Sequence, residues 1–286
     1  MKILDFRNEG TNISSLLFRN ADYGKKEESF RIYLHPEKDY SFYLSKGVFD
    51  GYHVLYNEFE GGLYLGDEEH PFRYLIKAKD DDVDTLIVHP MCHLIASHAF
   101  EKHPTLRRVA FYCEDEAKIA ENAFAQCPVL EDIRFLCKKH VLIHYEAYKG
   151  NQSLRNVQFN DATYSFNSSA FANCLNLKHI DLPLNLIPHP KFVHPTKVFD
   201  GTPVDHVYLP KAMREVYAWF LKETQVYCEE DPSHIATAYE EETVEEPYYD
   251  YYHQGGTVTV RKDIRGGENF FGPMSYEEYQ NRFPKN

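Results

Sequence analysis

The sequence predicts a mostly β (α+β) repeat solenoid with about six parallel repeat strands, an N-terminal β cap and a C-terminal helical cap. Three observations predict this fold class. An Ala-aromatic dipeptide recurs every 23 or 24 residues, and a Leu follows each aromatic residue by six positions. Each Leu opens the pattern Leu-x-x-(Val/Ile)-x-(Phe/Leu). A period of roughly 20–50 residues indicates stacked supersecondary units.

The same register is found in four central copies and in two weaker flanking copies. The dipeptides are Ala99-Phe100, Ala123-Phe124, Ala147-Tyr148 and Ala170-Phe171. The strand patterns are Leu106/Val109/Phe111, Leu130/Ile133/Phe135, Leu154/Val157/Phe159 and Leu177/Ile180/Leu182, with weaker copies at Val83/Leu86/Val88 and Val204/Val207/Leu209. Residues two apart in a strand point to the same side, so both pattern positions enter the core. One coil cannot bury its own apolar side, whereas stacked coils share a continuous core.

The central copies also resemble a known family. Residues 119–130 and 169–177 contain the sequence Ala-Phe-x-x-Cys-x-x-Leu or a close variant of it, and both resemble BspA-type leucine-rich repeats. The segment 62–72, followed by 75–79, resembles the lead-in to the repeats of bacterial members. The resemblance covers about residues 62–228. It implies a solenoid fold and a binding role, usually in bacteria and often at the cell surface.

Residues 1–82 are predicted to form an N-terminal β-rich cap ahead of the repeats at 83–210. Strand-like runs lie at 29–34, 40–44, 52–56 and 73–77, and Gly residues and charge clusters interrupt them. This pattern is typical of an antiparallel sheet, which would cover the first coil and protect its exposed edge. The alternative is a separate binding domain.

Residues 211–228 are predicted to form a C-terminal cap of one helix and one strand. Met213, Val216, Tyr217 and Phe220 have helical spacing, and a strand-like segment follows at 224–228. The coil spacing lengthens just before this cap, because 27 residues separate Leu177 from Val204 and the segment 187–195 is inserted between them.

Residues 229–286 form an acidic, tyrosine-rich tail. Acidic residues alternate with tyrosines up to the cluster Tyr248, Tyr249, Tyr251 and Tyr252. An acidic run is usually a solvated segment. Tyrosine, however, is favoured in interfaces because it combines contact area with a polar tip. The tail is therefore also a candidate for docking on a basic partner or on its own solenoid.

Charge and hydropathy narrow the class of partner and the compartment. The net charge of −13 argues against nucleic acid and anionic membranes as partners. The sequence contains no apolar run of 18 or more residues, and its N-terminus lacks the pattern of a secretory signal. We therefore expect a cytoplasmic protein without a membrane span. A protein of the cell surface or a secreted protein is the alternative if a signal has been removed.

The sequence shows no motif for catalysis, for a cofactor or for a metal. It contains neither a Gly-x-Ser-x-Gly elbow nor a phosphate-binding glycine loop. The repeat register places His89 at the end of a strand and His98 and His103 on the opposite wall, so we expect no convergence on a metal. Cys113 and Cys137 occupy equivalent points of adjacent coils. We expect both to be free thiols in a reducing compartment, with a disulfide as the alternative.

The outward positions of the repeat strands are the candidate binding surface. Alternation from the core residues predicts that these positions form one solvent-facing sheet surface. The candidates are Arg108, Tyr112, Asp132, Arg134, Leu136, Asn156, Gln158, Asp181, His206 and Tyr208. Enrichment in Arg and Tyr favours contact with a partner, and a merely solvated sheet face is the alternative.

The predicted function is a non-catalytic protein-binding module or an accessory or adaptor subunit. It would use the face of the repeat sheet, with the acidic tail as a second contact for a basic protein surface. Two alternatives stay open. One is a secreted or surface adhesin that binds a host protein or glycan, and the other is an enzyme whose site lies outside the repeats.

Overall fold

The computed structural model describes two compact units, residues 1–226 and residues 227–286. The described residues are 2–7, 29–35, 40, 44, 49, 52–183, 185–186 and 198–204, together with the backbone of the strands at 206–209, 226–228, 239–244 and 258–263. Every element whose bounds are described is a β-strand. The predicted helix over 211–223 lies outside the described residues, as do most of the insertion at 187–195 and Tyr248, Tyr249, Tyr251 and Tyr252.

The strands are numbered in chain order. Those before the repeats are β1 (Lys2–Asp5), β2 (Ser29–Tyr33), β3 (His53–Val54), β4 (Asn57–Phe59), β5 (Gly62–Leu65) and β6 (Tyr74–Ala78). Those of the repeats are β7 (Thr85–Val88), β8 (Leu94–Ile95), β9 (Arg108–Phe111), β10 (Ala117–Ile119), β11 (Asp132–Phe135), β12 (Val141–Ile143), β13 (Asn156–Gln158), β14 (Tyr164–Phe166), β15 (His179–Asp181) and β16 (His206–Leu209). The last three are β17 (Val226–Cys228) and the antiparallel pair β18 (Tyr239–Val244) and β19 (Val258–Asp263).

Each complete coil contributes one strand to each of two sheets, and the strands of successive coils pair in parallel. The repeat sheet has the order β13-β11-β9-β7, and the second sheet has the order β14-β12-β10-β8-β6-β5-β4. All six predicted repeat strands are found, which confirms the register read from the core positions. The prediction of one sheet face is wrong in one respect, because β15 and β16 pair with each other in a separate sheet.

Two ladders of stacked aromatic rings fill the core between the sheets. The first contains Phe100, Phe124, Tyr148, Phe171 and Phe199, with successive centroids 5.3, 5.4, 5.1 and 5.9 Å apart. The second contains Phe111, Phe135 and Phe159, with centroids 4.7 and 5.1 Å apart. Sequence reasoning missed the last ring of the first ladder. The pair Val198-Phe199 has Val instead of Ala and follows the preceding pair by 28 residues, not 23 or 24.

Each coil also turns through two left-handed backbone positions. One precedes the Ala of the dipeptide and the other follows the aromatic residue by two positions. They are His98, Asn122, Glu146 and Ser169, and then Lys102, Gln126, Gly150, Asn173 and Gly201. A non-glycine residue in this region costs about 1 kcal/mol. Because only two of these nine positions are Gly, the turns were not evident from the sequence.

The N-terminal residues contribute strands to two different sheets. Strands β4, β5 and β6 are antiparallel and extend the second sheet beyond the first coil. Strands β1, β2 and β3 form a separate sheet that is parallel, so the expectation of an antiparallel arrangement is wrong for them. Phe6, Phe30 and Ile32 of this region share an apolar cluster with Tyr74 and Leu94 of the second sheet. The N-terminal sheet therefore covers the outer side of the second sheet at the first coil.

In three of the four central coils, the side chain just before the repeat Leu bonds to the coil before it. Thr105 Oγ1 donates to Asp81 O, Ser153 Oγ to Pro128 O and Asn176 Nδ2 to Gln152 O, each at 2.6 Å. Val129 occupies this position in the remaining coil and has no donor. We expect Val129→Thr to raise the free energy of unfolding by about 0.5–1 kcal/mol, because it adds this bond. Urea denaturation measures the change, and Val129→Ala is the control that adds no donor. Equal midpoints for Val129→Thr and wild type would contradict the prediction.

Candidate protein-binding face of the repeat sheet

The register of the repeat sheet brings the central candidate residues into rows across adjacent strands. Arg108, Asp132 and Asn156 are paired in one row, and Arg134 pairs with Gln158 in the next. Asn156 Nδ2 donates to Asp132 Oδ1 at 2.6 Å. These neighbours are those that the sequence predicted, because the spacing of 24 residues keeps the strands in step.

The exposure of this face differs from the prediction. Tyr112 and Leu136 are partly exposed, as expected. Asp132 and Arg134, however, are only 8% and 5% exposed, so the expectation that they face solvent is wrong. Strands in a sheet lie about 4.8 Å apart, so a central side chain is flanked closely on both sides. The alternation of side chains along one strand does not predict this burial, because the burial comes from side chains on the two neighbouring strands.

Burial changes the acidity of the central carboxyl group. It raises the pKa of Asp132 from 3.8 to about 6, against the hydrogen bond from Asn156, which lowers the pKa. The negative charge of Glu131 raises the pKa further, and the positive charge of Arg108 lowers it. The face therefore contains one carboxyl group that changes its charge near pH 6.

This raised pKa predicts a pH-dependent stability. Because the pKa in the folded chain lies above the unfolded value, Asp132 stabilises the fold most below about pH 4, and this contribution is lost as the pH rises through about 6. Asp132→Asn removes the ionisation and keeps the oxygen that accepts from Asn156. We expect the variant to unfold like wild type near pH 4 and to be more stable by on the order of 2 kcal/mol near pH 7. Urea denaturation across this pH range measures the difference.

The control for this prediction is a carboxyl group whose pKa shifts in the other direction. The hydrogen bond from Lys139 is the largest cause that lowers the pKa of Asp115. This group stabilises the fold at neutral pH and loses that contribution in acid, so Asp115→Asn should give the opposite slope. A difference between Asp132→Asn and wild type that does not vary with pH would contradict the assignment.

Ion pairs between coils border the repeat sheet at both ends of its strands. At one end, Arg107 Nη2 lies 2.9 Å from Glu131 Oε1. At the other end, Lys138 pairs with Glu114 at 2.8 Å. Such surface pairs each contribute little to stability, about 0–1 kcal/mol. They were missed in the sequence, although opposite charges 24 residues apart could have revealed them.

The remaining candidates do not join the central rows. Asp181 lies on β15 and is paired with Tyr208 of β16. His206 is paired with His179 in the same small sheet. This sheet is not hydrogen-bonded to the four central strands, so these three candidates are not paired with the central rows.

The histidines considered for a metal lie in three different environments. The His89 ring stacks on Phe72 with centroids 4.2 Å apart, and burial lowers its pKa. His98 Nδ1 lies 2.6 Å from Glu101 Oε2, whereas His103 Nε2 lies 2.9 Å from Asp80 O. Among the described residues, no group of three His, Cys, Asp or Glu side chains is placed to hold a metal ion.

Within the same part of the chain, no helix has the length and apolar character needed to cross a membrane.

Comparisons with known proteins show the repeat family in the central part of the chain. Residues 80–193 match six copies of the BspA type leucine-rich repeat region, which confirms the resemblance over these residues. No curated protein matches the chain.

Several solved bacterial structures are similar to part of the chain. The pneumococcal vaccine antigen PcpA is 18% identical over 54% of this chain and 38% of its own, with a TM-score of 0.41. A leucine-rich repeat protein of T. pallidum is 16% identical over 55% of this chain and 72% of its own, with a TM-score of 0.41. A leucine-rich repeat protein from Bacteroides ovatus is 17% identical over 51% of this chain and 42% of its own, with a TM-score of 0.37. The match thus spans well under half of the pneumococcal protein.

Proposed function

We propose that this chain, whose residues 80–193 are BspA-type leucine-rich repeats, is a non-catalytic protein-binding module or adaptor subunit. One observation carries the proposal. Four parallel strands stand in register, so their outward side chains form continuous rows on one sheet face. Solenoids use such extended faces to bind macromolecules. The fold fixes the shape of the face, and the side chains on it decide the partner.

The chemistry of the face supports a protein partner. Tyr112 and Leu136 provide apolar contact area, and Arg108 and Gln158 provide hydrogen-bond donors, all four being partly exposed. Tyr and Arg are enriched among the residues that dominate interface energies. Asp132 and Arg134 belong to the same rows but are buried, so they contribute to binding by positioning their neighbours more than by direct contact.

The acidic tail at 229–286 is proposed as a second contact. Tyr248, Tyr249, Tyr251 and Tyr252 lie among acidic residues, which favours a basic protein surface. Deletion of residues 229–286 is expected to weaken partner binding and to make the remaining affinity less dependent on salt, because screening acts on charged contacts. Unchanged affinity and salt dependence would remove the tail from the proposal.

A photocrosslinking experiment tests the repeat face. A benzoylphenylalanine residue replaces either Leu136 on the face or Leu175, which is 52% exposed beside the turn of a later coil. Both substitutions exchange a Leu for the same reactive group, so Leu175 is a matched control. We expect a discrete protein adduct in the native host from position 136 and not from position 175.

Affinity for the captured protein then tests the residues. Tyr112→Ala and Leu136→Arg are expected to weaken binding at least about tenfold, equivalent to about 1.4 kcal/mol, whereas Leu175→Arg leaves it unchanged. Equal adducts from both positions would contradict the assignment of the face. Specific binding of a glycan in place of a protein would replace this function with that of an adhesin.

A further inference from the structure

Cys113 and Cys137 stand at the same position of consecutive coils. The adjoining strand residues Phe111 and Phe135 are paired, and main-chain bonds continue this register past the cysteines. Leu136 N donates to Phe111 O at 2.8 Å, and Lys138 N donates to Cys113 O at 2.9 Å. Neighbouring strands lie about 4.8 Å apart, and disulfides form between Cα atoms about 4.4–6.8 Å apart. The backbone therefore holds the two residues at a separation that a disulfide accepts.

The two side chains also face each other inside the core. Both are buried free thiols. The hydrogen bond with Cys137, followed by burial, raises the pKa of the Cys113 thiol well above its usual range. Cys137 Sγ also lies 3.8 Å from Phe111 O of the preceding coil, so its thiol extends toward the coil that carries Cys113.

Two of the three other described cysteines, Cys127 and Cys174, provide an internal comparison. Cys127 and Cys174 belong to a different row, and the coil between them carries Asn151 at the equivalent position, so they cannot be joined. Cys127 Sγ donates to Phe100 O at 3.0 Å, and Cys174 Sγ donates to Tyr148 O at 3.2 Å. These two thiols donate to the preceding coil over shorter distances than Cys137 Sγ, which lies 3.8 Å from Phe111 O.

We propose that Cys113 and Cys137 are a disulfide site that links the second and third repeat strands when the chain folds in the presence of a small-molecule disulfide. The link would join β9 to β11, which carry the central rows of the repeat face. It would fix the spacing of Arg108 and Asp132 without adding any residue to that face. This inference is independent of the proposed function, since it concerns the core side of the same strands.

The chemistry balances with an oxidised dithiol compound such as glutathione disulfide as the oxidant. One cysteine loses its proton, and its thiolate attacks a sulfur of the oxidant, which forms a mixed disulfide and releases one reduced thiol. The second cysteine loses its proton and attacks the protein sulfur of that mixed disulfide, which releases the second reduced thiol. The two cysteines lose two electrons and the oxidant gains them. The reaction belongs to folding, because both thiols are buried afterwards and thiolates are the reactive form.

Peptide mapping of the full-length chain tests the site. The chain is unfolded and reduced, refolded with reduced and oxidised glutathione, alkylated and digested with trypsin under non-reducing conditions. Cleavage after Lys and Arg places Cys113 in peptide 109–118 and Cys137 in peptide 135–138, and every other cysteine in a different peptide. We expect one linked pair, 109–118 with 135–138, about 2 Da lighter than the two thiol peptides together, with the other four cysteines alkylated.

Two variants and a stability measurement complete the test. Cys113→Ala should abolish the linked peptide, whereas Cys127→Ala should leave it unchanged. In wild type, the oxidised chain should unfold at a higher urea concentration than the same chain after reduction, because the link restricts the unfolded state. Six alkylated cysteines, a mixture of pairings that includes Cys92, or an oxidised form less stable than the reduced form would each overturn the proposal.

Discussion

Asn151→Leu is expected to lower the free energy of unfolding by about 3–5 kcal/mol. The Asn151 side chain is fully buried and satisfies three main-chain groups. Its Oδ1 accepts from Cys127 N at 2.8 Å, and its Nδ2 donates to Phe124 O and Tyr148 O, both at 2.9 Å. Leucine is of similar size but makes none of these bonds, and each buried group left unsatisfied costs about 1–3 kcal/mol. Urea denaturation followed by circular dichroism measures the loss.

Two controls separate this network from a general effect of substitution. Asn151→Cys inserts the residue that the neighbouring coils use, whose thiol can donate to the preceding coil, so it should cost less than Asn151→Leu. Asn176→Ala removes one exposed side-chain bond and should cost less than about 1 kcal/mol. A loss below about 1 kcal/mol for Asn151→Leu would show that the main-chain groups find other partners.

Phe124→Ala is expected to cost about 3–5 kcal/mol, as large-to-small changes in a close-packed core do. The Phe124 ring is fully buried, stacks between Phe100 and Tyr148, and meets Phe111 edge to face at 5.9 Å. Its removal opens a cavity in the middle of one ladder and leaves both stacked neighbours with one partner fewer. Because each coil touches only its neighbours, the defect also weakens the coupling between the two sides of the solenoid.

The control for this second prediction is the same substitution made at a different position of the first aromatic ladder. Phe199 is the last described ring of the ladder and is only partly buried, so Phe199→Ala should cost clearly less than Phe124→Ala. Tyr148→Phe keeps every ring and removes a buried hydroxyl that has no hydrogen-bond partner among the described residues, so it should not lower the stability. Equal losses for Phe124→Ala and Phe199→Ala would contradict a continuous stacked core.

The sequence predicted the repeat strands well because their core positions recur with one spacing. Val109, Ile133 and Val157 were placed correctly, since a shift of one residue would have exposed a Val or Ile in every coil. Properties that arise between coils were harder to predict. The burial of Asp132 depends on residues 24 positions away, and the left-handed turns at Lys102 and Gln126 use side chains that carry no turn signal.

The ends of the repeat were predicted least well, because there the period changes. Phe199 continues the aromatic ladder after an insertion that broke the spacing. The parallel pairing of β1 with β2 joins residues separated by 28 positions, and the segment between them has no periodic pattern. Local alternation predicted a strand at 29–34, close to the observed Ser29–Tyr33, and gave no information about the direction of its neighbour.

Most of the side-chain bonds between coils run in one direction along the solenoid, an exception being the contact of His93 Nδ1 with Glu116 O. Thr105, Ser153 and Asn176 each donate to a carbonyl group that lies about 24 residues earlier in the chain, and the thiols of Cys127 and Cys174 also reach backwards. The accepting carbonyl groups therefore belong to a coil that has already been synthesised when the next coil folds. A chain leaving the ribosome with its N-terminus first can add its coils in the order of synthesis, each new coil docking on a finished template.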